Sequence, residues 1–152
     1  MDLSDSDWVN AGLTESILAR QGPPLYIAAS LGAIAAAKVM AALGSNLEVR
    51  GPNGQRPLHA AAAGGHVGIA GILLSEGAEI DPIDDDGNTP LITAILFGQT
   101  SVVELLLAIG ADIDIARPDG FTAVHMSQLP DTPKAIQELL AIGQESIDLS
   151  GS

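Results

Sequence analysis

Apolar positions along this chain change their period at regular places. Val102, Val103, Leu105, Leu106 and Leu107 crowd one stretch that stops at Gly110, as the buried face of a helix does. Just beyond, Ile113 and Ile115 alternate with Asp112 and Asp114, the two-residue period of an extended hairpin arm. Ahead of both lies a short apolar run, Leu91 to Leu96, ending near Gly98. Its entry is Gly87-Asn88-Thr89-Pro90. Gly87 suits the positive φ that ends a tight turn, and Thr89 suits an N-cap. Pro90 suits the first helical position, where its missing N–H costs nothing. The segment therefore predicts a turn, a short first helix, a second helix ending at Gly110, and a hairpin arm.

The same order recurs every 33 residues. Gly54, Gly87 and Gly120 keep that spacing, as do Leu25, Leu58, Leu91 and Val124, and Gly44, Gly77, Gly110 and Gly143. Arg56-Pro57-Leu58-His59, Thr89-Pro90-Leu91-Ile92 and Thr122-Ala123-Val124-His125 align without gaps, and Pro23-Pro24-Leu25-Tyr26 joins them. Gly77-Ala78-Glu79-Ile80 and Gly110-Ala111-Asp112-Ile113 form a second landmark, with Gly44-Ser45-Asn46-Leu47 a weaker copy. A unit this small cannot bury its apolar face alone, so neighbours must stack.

Thr89-Pro90-Leu91, Pro57-Leu58-His59-Ala60-Ala61, Gly65-His66, Leu73-Leu74 and Gly110-Ala111-Asp112 give the chain its likeness to a known family. It resembles the ankyrin repeat family over about nine-tenths of its length. The fold this implies is all-α, a helix–turn–helix–hairpin solenoid of about four 33-residue repeats with terminal caps. One domain is expected over 1–152: an N-terminal cap at 1–17, repeats at 18–50, 51–83 and 84–116, and a C-terminal capping repeat at 117–152. The cap expectation at the start rests on Trp8, Val9, Leu13, Ile17 and Leu18. Departures from the family pattern are specific. Arg56 and Pro23 replace the cap threonine, and Ile92 and Tyr26 replace the histidine. In the last unit Ser127-Gln128 stands where alanines belong and Pro130 and Pro133 interrupt, as suits a wetter capping face.

Composition now reads against that architecture. The 152 residues include 23 alanines but only 3% aromatics, a sparse inventory for an ordinary core. Helices stacked roughly 8–10 Å apart need small residues at closest approach, and Ala28-Ala29, Ala35-Ala36-Ala37 and Ala60-Ala61-Ala62 are the candidates. A formal charge of -13 argues against wrapping nucleic acid or docking on anionic lipid, and the six basic residues are never adjacent. Without cysteine there is no disulfide framework, thiol nucleophile or thiolate zinc site. Residues 1–20 lack the basic and apolar regions of a secretory signal, and Ser30, Gly32 and Lys38 break the longest apolar run, Leu25 to Leu43. A cytoplasmic, monomeric chain is expected.

Candidate chemistry is thin. His59 and His125 sit two repeats apart, roughly 20 Å at the spacing of stacked helices, too far to share a metal or relay a proton. The resemblance implies a structural, loop-bonding histidine there, and His66 marks an interhelical turn. Asp81 to Asn88 has the acidic look of a calcium loop, but Pro82 would fall on the first ligand position and Thr93 where the closing glutamate belongs. That run reads as a solvated hairpin tip. No nucleophile elbow, phosphate loop or H-E-x-x-H motif is present. No catalytic residue, cofactor or metal ligand is assigned, and an enzyme is not expected.

The resemblance implies partner binding by hairpin tips and the concave face of the first helices. The tip residues are Pro52, Asn53 and Gln55, then Asp85, Asp86 and Asn88, then Pro118, Asp119 and Phe121. The helix positions are Ser30-Leu31, Ala63-Gly64, Leu96-Phe97 and Leu129-Pro130, of which Leu96, Phe97 and Leu129 are the candidate anchors. The expected function is a protein–protein interaction module, an adaptor, scaffold or inhibitor, whose partner sets basic side chains around an apolar knob. Two alternatives stay open: a structural or self-associating solenoid, and a small-ligand or divalent-ion binder using the acidic tips.

Overall fold

A computed structural model describes residues 22–151 of the chain, with side chains as far as Ile142. The expected N-terminal cap at 1–17 lies outside the described residues. Eight α-helices form four antiparallel pairs among them: α1 (Pro24–Leu31) with α2 (Ile34–Ala42), α3 (Pro57–Gly64) with α4 (Val67–Ser75), α5 (Pro90–Leu96) with α6 (Thr100–Ile109), and α7 (Ala123–Ser127) with α8 (Lys134–Gly151). The first helices α1, α3, α5 and α7 pack side by side in one row, and α2, α4, α6 and α8 in a second. The all-α solenoid read from the repeat is the observed architecture. Among the described residues no helix is long and apolar enough to cross a membrane.

Local chemistry sets the helix ends. Thr89 is extended at the N-cap of α5 and its hydroxyl accepts the Ile92 N–H at 3.2 Å, with Pro90 at the first helical position. Gly110 closes α6 in the left-handed region at φ 108°, and its N–H returns to the Leu106 and Leu107 carbonyls. The tips between pairs keep a hairpin closure without a strand ladder. Gly51 N–H reaches Gln55 O at 2.7 Å, Asp84 N–H reaches Asn88 O at 3.0 Å, and Arg117 N–H reaches Phe121 O at 2.8 Å. The arm behind the third tip does alternate, with Ile113 buried between exposed Asp112 and Asp114. Its backbone donors are taken by carboxylates instead of a neighbouring strand: Asp112 N–H goes to Asp81 and Asp114 N–H to Asp112 Oδ1.

The core is built where the rows touch. Ala29, Ala61, Ala62 and Ala94 are fully buried along the first-helix row, and Leu58, Ile69, Leu73, Leu91, Val102, Val103 and Leu106 fill the space behind them. Close approach at alanine replaces aromatic bulk. The expectation for Ala35-Ala36-Ala37 is corrected in part: Ala37 is buried, but Ala35 and Ala36 face solvent, because α2 turns only Ala37 and Ala41 inward. In the last pair Gln128 is exposed at the position where Ala29, Ala62 and Ile95 are buried. Ser127 is buried but donates its hydroxyl to Val124 O at 2.6 Å.

Candidate functional site

The repeat register brings the C-terminal ends of the first helices into one line. Leu31, Gly64, Phe97 and Pro130 share a position, and Ser30, Ala63, Leu96 and Leu129 precede them. α1, α3 and α5 stop there, at Leu31, Gly64 and Leu96, and α7 stops two residues short of Leu129 at Ser127, so these side chains have no following helical turn to pack on. Leu31 is 75% exposed, Phe97 62%, Leu129 44% and Leu96 41%. Leu96 and Leu129, with Ile95, Pro130, Asp131 and Thr132, line an open cleft of about 270 Å³ between the last two pairs. Both Leu96 and Phe97 are thus presented to solvent. Leu31 is the largest exposure in the row, and its shared register with Phe97 was the signal available for it.

Glycines and turn residues floor this row. A Cβ on Gly32 or Gly64 would run into the His66 ring, and one on Gly65 would strike the Gln99 amide. His66 thereby lies between two first-helix ends, with Nε2 at 3.3 Å from Ser30 O. Gln99, one repeat on, donates to Ala63 O at 2.9 Å. Thr132 takes the third place and bonds locally to Met126 O. The His66 and Gln99 rungs join adjacent repeats beneath the exposed row. A bond spanning 36 residues is invisible to a search for a 33-residue identity.

The tips divide into fasteners and exposed groups. Tyr26 Oη donates to Gln55 Oε1 at 2.8 Å, and burial pushes its phenol pKa up. His59, one repeat on, accepts the Arg56 N–H at Nδ1 (3.0 Å). Its Nε2 therefore carries the proton and donates to Asn88 O at 2.8 Å. Burial holds the His59 pKa below its ordinary value, against a smaller upward pull from the Asn88 carbonyl and the nearby Asp84 charge. The Asn88 side chain accepts from Arg117 at 3.0 Å. Gln55 and Asn88 are in this way engaged by the stack itself. His125 Nδ1 accepts the Thr122 N–H at 3.0 Å, and its ring meets Phe121 edge-on with centroids 5.7 Å apart.

Asn53, Asp85, Asp86, Asp119 and Phe121 face solvent. Asn53 donates its amide to Asp86 Oδ2 at 2.8 Å, and its carbonyl accepts the Asp85 N–H at 2.9 Å, so the first two tips are tied together. Asp119 pairs with Arg117 at 3.1 Å. Asp84 differs from its neighbours. It is buried, and Oδ1 accepts the Asp86 and Asn88 N–H groups at 2.9 Å each, which fixes the turn. Asp84 therefore shapes the tip, and the charge on display is that of Asp85 and Asp86. Among the described residues no three His, Asp or Glu side chains converge as a metal site.

A row of exposed apolar helix ends and a set of acid-bearing tips lie on a stack of helix pairs. A comparison with curated proteins returns no match for the chain. The family model described as ankyrin repeats (3 copies) matches residues 25–119 and 76–150. Members of that family are generally non-enzymatic modules that bind other proteins. The match spans nearly the whole described solenoid, and the chain belongs to the ankyrin repeat family.

Proposed function

We propose that the chain is a partner-binding adaptor, scaffold or inhibitor. Its partner lays an apolar knob against Leu96, Phe97 and Leu129 and sets basic side chains near Asp85, Asp86 and Asp119. The observation that carries this reading is the exposure of Leu96, Phe97 and Leu129, with Leu96 and Leu129 lining one cleft, an apolar edge of the kind that marks interfaces. Asn53 and Phe121 complete the rim, while Gln55 and Asn88 act by holding the tips in place. The acids speed encounter more than they add affinity. The repeats at 18–50, 51–83 and 84–116 and the closing repeat at 117–152 act together as one domain, monomeric and cytoplasmic.

The test is capture of partners from the source cell by wild type, by Phe97→Ala with Phe121→Ala, and by Asp85→Lys with Asp86→Lys. The double alanine variant should stay folded by circular dichroism and lose about 30-fold in affinity, the size of one hot spot. The double lysine variant should associate more slowly at low salt and converge with wild type at high salt. Unchanged binding by both variants overturns the reading. Self-association is the rival use of the same apolar row, and a mass by light scattering that rises with concentration would favour it.

A further inference from the structure

A second surface lies on the other row of helices. The end of α6, the loop after it and the flank of α8 enclose an open cleft of about 450 Å³. Its floor is apolar, from Leu107, Ile113, Leu139 and Ile142, and its rim carries Glu104, Asp112 and Asp114. Among the described residues no lysine, arginine or histidine lines it. Ile142 is 61% exposed, and the three carboxylate residues are all solvent-facing. The C-terminus of α6 ends at Ile109 beside this rim and adds the partial negative charge of its unpaired carbonyls.

The repeat explains why the cleft is open. Glu48, Asp81 and Asp114 are spaced 33 apart. Glu48 accepts the Glu79 N–H at 3.1 Å, and Asp81 accepts the Asp112 N–H at 3.2 Å, so each carboxylate receives the loop of the following repeat. The counterpart that would serve Asp114 is position 145, which lies inside α8 rather than in a loop. The burial stripe of α8 is also reset. Ile136 and Leu140 point inward, while Leu139, aligned with the fully buried Leu106, is only half-buried. A carboxylate series that elsewhere bonds backbone donors thus ends at an apolar trough.

We propose that this cleft docks an amphipathic basic segment of a protein partner, one that sets a lysine or arginine beside a large apolar side chain. The apolar side chain packs on Leu107, Leu139 and Ile142. The aliphatic stem of the basic residue follows it, and the charged head reaches Glu104, Asp112 and Asp114. Three carboxylates and a helix C-terminus give electrostatic preference for that partner over a neutral or acidic one. The surface is separate from Leu96, Phe97 and the tips, so the two faces can be occupied together.

The full chain, labelled with nitrogen-15, would be titrated with two synthetic helical peptides. One has a leucine stripe flanked by lysines, and the other carries glutamine in place of each lysine. Amide shifts from the lysine peptide should cluster at 104–114 and 139–142. Ile142→Ser, and Glu104→Gln with Asp112→Asn and Asp114→Asn, should each weaken binding by about 10-fold or more, and Phe97→Ala should leave it unchanged. The glutamine peptide should bind about 10-fold more weakly than the lysine peptide. Asp114→Asn alone gives a milder loss of the same sign and guards against misfolding of the triple variant. Shifts centred on Leu31, Leu96 and Phe97, equal binding of the two peptides, or no loss in the triple variant would overturn the proposal. So would the same shifts appearing without peptide as protein concentration rises, which would identify a second copy as the occupant.

Discussion

Tyr26, His59, Ile92 and His125 occupy one position in four successive helix pairs and show how a single side chain fastens or fails to fasten a stack. Tyr26 donates to a side chain of the next tip, His59 donates to a backbone carbonyl of the next tip, and Ile92 has no donor to offer. His59→Ala leaves the Arg56 N–H without its partner and removes one of the two donors to the Asn88 carbonyl, which keeps the Asp84 N–H, and should cost about 2–3 kcal/mol in urea unfolding. His125→Ala removes a half-used, exposed ring and should cost under ~1 kcal/mol. The pH dependence follows from the lowered His59 pKa. The unfolded state takes up a proton as pH falls below about 6.5, while the folded state resists it. The His59 contribution is thus complete above that pH and is lost as pH drops through the folded-state value. Urea midpoints at pH 7.5 and 5.5 should therefore fall further in wild type than in His59→Gln. The Asp81 carboxyl is shifted the other way, raised chiefly by burial, with the Asp112 N–H opposing and the Asp112 charge adding to it. Ionisation of Asp81 costs stability as pH rises through its raised value. Asp81→Asn, which keeps an acceptor for that N–H, should be neutral to mildly stabilising at pH 7 and indistinguishable from wild type near pH 3.

Among elements, the helix boundaries were the most legible part of the chain. Thr89, Pro90 and Gly110 each name a position by chemistry that acts within one or two turns, and α5 and α6 begin and end where those residues stand. Thr89→Ala should remove the hydroxyl that accepts the Ile92 N–H at the start of α5, and lower stability by about 1 kcal/mol by thermal melt. Pro23, at the equivalent place before α1, provides no such bond. The row of exposed Leu96, Phe97 and Leu129 was also readable, because register alone places them at or just past the ends of the first helices. The fate of Gln55 and Asn88 was not readable. Whether a tip amide faces a partner or a neighbouring repeat depends on Tyr26, His59 and Arg117 reaching across the stack, and local spacing carries no trace of that. The cleft beside α8 was likewise hidden, since it arises from a change in which face of the last helix turns inward. Asp84 looked like surface charge because its sequence neighbours are, and only the turn geometry shows its carboxylate turned inward onto Asp86 and Asn88.

For the molecule as a whole, a solenoid distributes its stability as a chain of neighbour contacts rather than one shared centre. That distribution is uneven here. α4 buries Ile69, Ala70 and Leu73 and α6 buries Val102, Val103 and Leu106, whereas α2 buries only Ala37 and Ala41. Hydrogen exchange should therefore be slowest in α3, α5 and α6, and α2 should exchange at least ~10-fold faster than α6. Equal protection of the two helices would show that the pairs unfold as one unit. The fastenings between pairs also set which repeats could follow which. A backbone carbonyl is present at every residue, so the joint made by His59 would accept a successor of any sequence at position 88. The joint made by Tyr26 is keyed, because it needs an acceptor side chain at position 55, and Gln55 supplies one. Transplanting the second repeat in front of a foreign neighbour should preserve the His59 joint but lose the Asn53 bond unless an acceptor stands at position 86, while transplanting the first should break the Tyr26 joint unless glutamine travels with it. The joints thus differ in what they ask of a successor: those that end on a backbone carbonyl accept any sequence, and those that end on a side chain restrict which repeat can come next.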